Sequence, residues 1–132
     1  EAARLLVDRN WLDVWPDDKD DRLHVYRFTP SMGGGVYQDR TVFQGEFELF
    51  RFAIREDQLE LDFPHTSEHL HTRFKIERVD GPEPFDLRLT LDRSLRGPRV
   101  YHGRSVEGAT TASLEAELAR AVEWGVRASR AR

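Results

Sequence analysis

The chain has 132 residues and no cysteine, so disulfide bonds, thiol nucleophiles and thiolate metal sites are excluded together. A hydrophobic share of 39% with 33% charged residues is typical of one soluble globular domain, here residues 1–132. The net charge of −4 gives no general attraction to phosphate backbones, so we expect no nucleic-acid partner.

No apolar run approaches the roughly 20 residues of a membrane span, and no signal-peptide pattern is present. We therefore expect a protein without a membrane span and, by default, a cytoplasmic location. Export is left open because the chain begins at Glu1 rather than at a methionine.

Short runs of alternating apolar and charged residues follow one another along most of the chain. A helical lead-in over residues 1–8 comes first. Residues 58–63 are the clearest run, because Leu59, Leu61 and Phe63 alternate with polar side chains. Period two indicates a strand with one buried face and one wet face. The predicted strands are residues 9–15, 22–29, 36–43, 46–55, 58–63, 68–79, 85–92 and 99–102. They predict a mainly β fold, a single antiparallel eight-strand meander that closes into a barrel over residues 9–103.

The fourth predicted strand changes phase along its length. Phe47 and Leu49 share one phase, whereas Phe50, Phe52 and Ile54 share the other. A β-bulge near Leu49–Phe50 would return both sets to the interior, and the alternative is a strand covered on both faces. The predicted inward side chains are mostly large, which favours a filled barrel: Phe28, Phe47, Phe52, Leu61, Phe63, Phe74, Leu87 and Leu89.

The apolar period changes near residue 111, and residues 111–130 are predicted to form one amphipathic helix. Leu114, Leu118 and Val122 fall on one side of it at helical spacing. The default interpretation is a helix packed across the barrel wall. The alternative is a helix whose partner-binding residues are these same three side chains.

The order of elements resembles that of the lipocalin-like (calycin) barrels. Trp11 lies in the first strand, a meander follows, and a single helix comes after the last strand; Arg9 stands where the family's signature has a glycine. The resemblance implies that Arg104 packs over Trp11 in a structural cation–π contact at the closed end. It also implies a pocket for a small apolar molecule inside the barrel.

Polar side chains of the second strand are candidates to line such a pocket. His24 and Tyr26 share a phase with Phe28, and His71 or Arg73 of the sixth strand is a candidate for the opposite wall. A ligand site adds a few polar groups to an apolar wall, so these five are the predicted ligand-binding residues. The alternative is that they are wall or surface positions without ligand contact.

The grouping most typical of a metal site is His65, His69 and His71. On a strand the last two point to the same face, and Glu68 or Glu77 would complete a nitrogen and oxygen ligand set for zinc. The favoured interpretation is three exposed histidines on the polar face of a hairpin. We therefore expect neither a metal nor a cofactor.

Three functions remain open. The leading hypothesis is a non-enzymatic, lipocalin-like binding module for a small hydrophobic or amphipathic molecule. The second is a protein-interaction or structural module with a filled barrel that docks through a sheet face or the C-terminal helix. The third is a small barrel enzyme that uses His24 and Tyr26, although no residue set meets the nucleophile–base–orienter pattern and no catalytic residue is assigned.

Overall fold

The computed structural model of the chain describes residues 2–105 and 118–119. Eight antiparallel strands form a closed barrel in which each strand pairs with the next and the last pairs with the first. The predicted meander and its closure are therefore confirmed. The elements are α1 Ala2–Leu6, β1 Asn10–Leu12, β2 Leu23–Thr29, a 3-10 turn at Pro30–Met32, β3 Gly34–Arg40, β4 Gly45–Arg55, β5 Gln58–Phe63, β6 Glu68–Arg78, β7 Leu87–Leu91 and β8 Val100–Gly103.

Large side chains fill the barrel interior. The ring of Tyr26 has its centroid 5.0 Å from that of Tyr37 and 5.2 Å from that of Tyr101, while Phe50 lies 5.6 Å from Phe63. Tilted and edge-on rings at these distances add attraction to the burial of their area. Six of the predicted inward side chains are buried in this cluster, and Phe52 packs against it: Phe28, Leu61, Phe63, Phe74, Leu87 and Leu89.

β4 is one regular strand, and the bulge predicted near Leu49–Phe50 does not form. Residues 45–50 pair with β3 and residues 51–55 pair with β5, each in unbroken register. Phe50 therefore faces the interior, whereas Phe47 and Leu49 face outward with 71% and 58% of their surface exposed. The prediction that Phe47 points inward is wrong, because the strand carries apolar side chains on both faces and has no extra residue.

A second apolar cluster lies on the outer face of β1 and β2. Leu12, Leu23 and Val25 are buried there, on the side of the wall opposite to Trp11 and Tyr26. Leu118, which has helical backbone, is fully buried against the same cluster, and Ala119 is partly buried beside it. The rest of the predicted 111–130 helix, including Leu114 and Val122, lies outside the described residues.

The segments before β1 close one end of the barrel. Leu6 at the end of α1 is fully buried in the interior cluster, and its carbonyl accepts a hydrogen bond from Trp11 Nε1 at 2.9 Å. The Trp11 ring lies against Gly103, where an added Cβ would come within 3.0 Å of it. The carbonyl of Arg104 accepts a hydrogen bond from Arg9. The contact of the Arg104 side chain with Trp11 stays a prediction.

No helix within residues 2–105 and 118–119 is long and apolar enough to cross a membrane.

Candidate functional site

A groove of about 710 Å³ crosses the end of the barrel opposite to α1. We term it the mouth groove. Side chains from β2, β3, β4, the β5–β6 turn and the β7–β8 loop meet there. Its lining consists of His24, Tyr37, Asp39, Gly45, Glu46, Phe47, Glu48, His65, Leu95, Arg96 and Gly97. The volume is in the range of small-molecule sites, which often lie in the mouths of β-barrels.

His24 is held in one orientation at the wall of this groove. Its Nδ1 lies 2.7 Å from Asp13 Oδ2, and its backbone N–H donates to Asp13 Oδ1 at 2.7 Å. Because a carboxylate only accepts, Nδ1 carries the proton of this hydrogen bond. Nε2 faces Asp39 at 3.8 Å, and the ring is stacked on Tyr37 with 6.3 Å between centroids. The imidazole is therefore fixed by Asp13 and presents Nε2 towards the groove.

Arg96 of the β7–β8 loop joins three parts of the barrel end. Its Nε donates to Glu48 at 2.8 Å, and its Nη2 donates to Glu68 at 2.6 Å. The guanidinium carbon lies 4.6 Å from the centroid of the Phe63 ring, a cation–π distance. Hydrogen bonds to Glu48 and then to Glu68 raise the pKa of Arg96, so its charge is permanent. The loop is thereby clamped over the interior.

Three tyrosine hydroxyls lie beneath this loop. Tyr26 and Tyr101 donate to the Arg96 carbonyl at 3.4 and 3.3 Å. Burial raises the pKa of both phenols, and burial followed by the charge of Asp39 raises the pKa of Tyr37 to about 12. All three hydroxyls therefore stay protonated at neutral pH, and those of Tyr26 and Tyr101 act as hydrogen-bond donors rather than as bases.

Three carboxylates and one guanidinium line the groove, and only some of the carboxylates have an ion-pair partner. Glu48 is neutralised by Arg96, and Asp39 accepts from Arg22 at 2.5 Å. The side chain of Glu46 is exposed and has no hydrogen-bond or ion-pair partner within residues 2–105 and 118–119. A free carboxylate thus lines the groove from the inward face of β4, and Leu95 of the β7–β8 loop adds an apolar side chain to the lining.

The structure separates the predicted ligand-binding residues into three places. His24 lies in the mouth groove, whereas Tyr26 and Phe28 are fully buried in the core below it. His71 and Arg73 are exposed on the outer face of β6, because the buried Leu70, Thr72 and Phe74 take up its inward phase. These two side chains therefore do not meet the side chain of His24.

The histidine grouping is also divided. His65 lines the mouth groove, while on the outer wall His69 Nδ1 lies 2.6 Å from Asp62 and His71 Nε2 lies 2.8 Å from Gln58. The hydrogen bond to Asp62 raises the pKa of His69. Among the described residues no group of three or more His, Asp or Glu side chains is placed to hold a metal ion. Glu68 and Glu77 are engaged with Arg96 and Arg88.

Sequence reasoning did not find Asp13, Tyr37 or Arg96. Each belongs to a segment whose composition indicates only an ordinary strand or a polar turn, and their contacts span up to 70 positions of sequence. The one local signal was the Gly97–Pro98 turn, since a glycine with a φ of +66° allows the loop to approach the tyrosines.

The fold is a closed, antiparallel eight-strand meander barrel with a polar groove at one end. No protein-family model matches the chain, and neither curated proteins nor solved structures show a significant similarity to it.

Proposed function

We propose that the protein is a non-enzymatic barrel that binds a small amphipathic cation in the mouth groove. The observation that carries the proposal is the free carboxylate of Glu46 in a groove of about 710 Å³ whose lining also includes Phe47 and Leu95. An apolar wall with a few converging polar groups is the usual composition of a ligand site. Asp39 adds a second carboxylate and His24 a fixed ring nitrogen.

The filled interior argues for the groove and against the barrel centre as the binding place. The Tyr26–Tyr37–Tyr101 rings and the Arg96 clamp lie between the groove and the leucines further down. A ligand inside would have to displace this packing, which costs both burial and hydrogen bonds. The resemblance to the calycin barrels supports a binding function of this kind. The N-terminal segment and Trp11 close the opposite end of the barrel, so the groove is at the end where a ligand can enter.

A binding role is favoured over catalysis by the partners of His24. Within the described part of the chain its ring nitrogens face two carboxylates, Asp13 and Asp39, and no hydroxyl lies at hydrogen-bond distance from them. A histidine placed between carboxylates is oriented but has no nucleophile to activate.

The test compares three molecules of one shape and different charge by isothermal titration calorimetry. 2-Phenylethylamine carries a positive charge, 2-phenylethanol none and phenylacetate a negative charge. We expect the amine to bind most tightly and the carboxylate least, and the affinity for the amine to fall at high salt because the groove is open to solvent. Equal affinities for all three, or no binding, would overturn the proposal.

The matched variants are Glu46→Gln in the groove and Glu60→Gln on the outer wall. We expect Glu46→Gln to weaken binding of the amine by about tenfold, because a charge-assisted contact becomes a neutral one. Glu60→Gln removes the same charge from the exposed outer face of β5, far from the groove, and should leave binding unchanged. If the two variants weaken binding equally, the effect is one of net charge and not of the site.

A further inference from the structure

The hydroxyl of Tyr37 lies at the mouth groove without a hydrogen-bond partner. Tyr37 is an inward residue of β3 that lines the groove, and its hydroxyl oxygen is open to solvent there although only 6% of the residue surface is exposed. The hydroxyls of Tyr26 and Tyr101 in the same cluster donate to the Arg96 carbonyl. Among the described residues no acceptor lies at hydrogen-bond distance from the Tyr37 hydroxyl. Its proton is therefore available to a molecule in the groove.

The neighbouring rings hold this hydroxyl in place. The Tyr37 ring is stacked on His24 with 6.3 Å between centroids and 19° between planes, and the Tyr26 ring lies 5.0 Å away on the core side. The position that a Cβ of Gly97 would occupy is 3.0 Å from the Tyr37 hydroxyl and 3.3 Å from His24 Cδ2. The hydroxyl thus lies next to the edge of the imidazole that carries Nε2, and its orienting contacts come from residues already packed in the fold.

The groove combines this neutral donor with a group of acceptors. Burial and then the charges of Asp39 and Asp13 raise the pKa of Tyr37 to about 12, so the hydroxyl keeps its proton at neutral pH. The carboxylates of Asp39 and Glu46 only accept. Nε2 of His24 is also an acceptor in the neutral ring, because Nδ1 carries the proton that is shared with Asp13. A ligand of the groove therefore meets both kinds of hydrogen-bonding group.

The donor and the carboxylates are one step apart along the wall. Tyr37 and Asp39 are successive inward positions of β3, which are about 7 Å apart on a strand, and Glu46 is the cross-strand partner of Asp39. Two hydrogen bonds of about 2.8 Å each, with a short link between the two bonded groups of a ligand, span such a distance. A small amine whose ammonium donates to the carboxylates can thus place an oxygen on a neighbouring carbon at the Tyr37 hydroxyl.

We propose that the mouth groove selects amines that carry a hydroxyl or carbonyl oxygen close to the ammonium group, and that Tyr37 determines this specificity. Its hydroxyl donates to the oxygen of the ligand, while Glu46 and Asp39 accept from the ammonium. The inference rests on the proposed function and narrows the ligand class from amphipathic cations to amino alcohols and amino ketones. An amine without the oxygen leaves the Tyr37 donor unpaired when it displaces water from it, which lowers its affinity relative to the amino alcohol.

The test compares 2-phenylethylamine with each enantiomer of 2-amino-1-phenylethanol by isothermal titration calorimetry. The two compounds differ by one hydroxyl group, on the carbon next to the one that carries the amine. We expect the better enantiomer to bind the native chain about fivefold more tightly than 2-phenylethylamine, the gain typical of one net hydrogen bond. Tyr37→Phe keeps the ring and its stacking on His24. In this variant the ratio should fall to about one, while the affinity for 2-phenylethylamine should not decrease.

Tyr101→Phe is the matched control, because it removes a hydroxyl that already donates to the Arg96 carbonyl. It should keep the preference for the amino alcohol and should lose more stability in urea than Tyr37→Phe. Equal binding of both compounds by the native chain would overturn the inference and leave the proposed function standing. A preference that persists in Tyr37→Phe would also overturn it, since His65 or another group would then be the donor. If neither compound binds, the proposed function fails and the inference fails with it.

Discussion

At the scale of single residues, Gly97 determines how closely the β7–β8 loop approaches the barrel. Its φ of +66° is one that side chains rarely adopt, and an added Cβ would lie 2.8 Å from the Tyr101 hydroxyl and 3.0 Å from that of Tyr37. Gly33 also has a positive φ, of +77°, but an added Cβ there meets nothing within 4 Å. A side chain at Gly33 would therefore meet only backbone strain, whereas a side chain at Gly97 would meet both backbone strain and a steric collision.

We predict that Gly97→Ala destabilises the protein more than Gly33→Ala. The substitution at Gly33 should cost about 1 kcal/mol from left-handed backbone alone. At Gly97 the collision with the hydroxyls adds to this, and the total should reach about 2–4 kcal/mol. Urea unfolding of both variants measures the difference. Equal losses would mean that the loop moves away without cost.

At the scale of elements, the two faces of β4 contribute differently to the stability of the fold. Phe50 and Phe47 are three residues apart on the same strand, yet Phe50 is 2% exposed and Phe47 is 71% exposed. Folding removes only the Phe50 ring from water and packs it against neighbouring side chains. Burial, and not residue type, therefore sets the contribution of each ring to the stability of the monomer.

We predict that Phe50→Ala lowers the free energy of unfolding by about 3–5 kcal/mol, because a large cavity opens in the aromatic cluster. Phe47→Ala should change it by no more than about 0.5 kcal/mol when the chain is monomeric. Chemical denaturation at low protein concentration provides the comparison. A large loss for Phe47→Ala would indicate that its ring is covered in the folded monomer.

The same strand shows how far the sequence predicts the fold. Alternation predicts all eight strands to within a few residues at most ends, since period two is a local property of the chain. It cannot tell whether Phe47 and Phe50 are brought to one face by a bulge or left on opposite faces of a regular strand. That choice depends on the pairing of β4 with β3 and β5, which is set by distant residues.

The candidate site was less predictable for a related reason. His24 shares the inward phase of β2, so the sequence already pointed to it. Arg96, in contrast, lies in a polar stretch whose composition indicates only a turn, and its partners Glu48 and Glu68 are far away along the chain. Long-range ion pairs leave no periodic signal in a single sequence.

At the scale of the whole molecule, the barrel is closed at both ends in different ways. Apolar residues of α1 close one end, whereas the Arg96 clamp closes the other with charges. The Arg96 side chain is 18% exposed and Glu48 is 21% exposed, so their hydrogen bonds are partly shielded from water. Such bonds contribute more than those of exposed pairs.

We predict that Arg96→Met lowers the free energy of unfolding by about 2–3 kcal/mol, because Glu48 loses its partner while it stays largely buried. Arg88→Met is the control: Arg88 pairs with Glu77 at 3.2 Å but is 41% exposed, and its loss should cost less than about 1 kcal/mol. Denaturation curves of both variants measure the two losses in the free energy of unfolding. Similar costs would show that the clamp is no stronger than a surface pair.

The proposed binding place is the mouth of the barrel and not its filled interior. The most direct measurement is an amide NMR titration with 2-phenylethylamine. Binding at the mouth predicts shift changes confined to residues of the mouth groove, such as Tyr37, Glu46 and Gly97. Shift changes centred on interior positions such as Leu61 and Leu89, or none at any position, would contradict it.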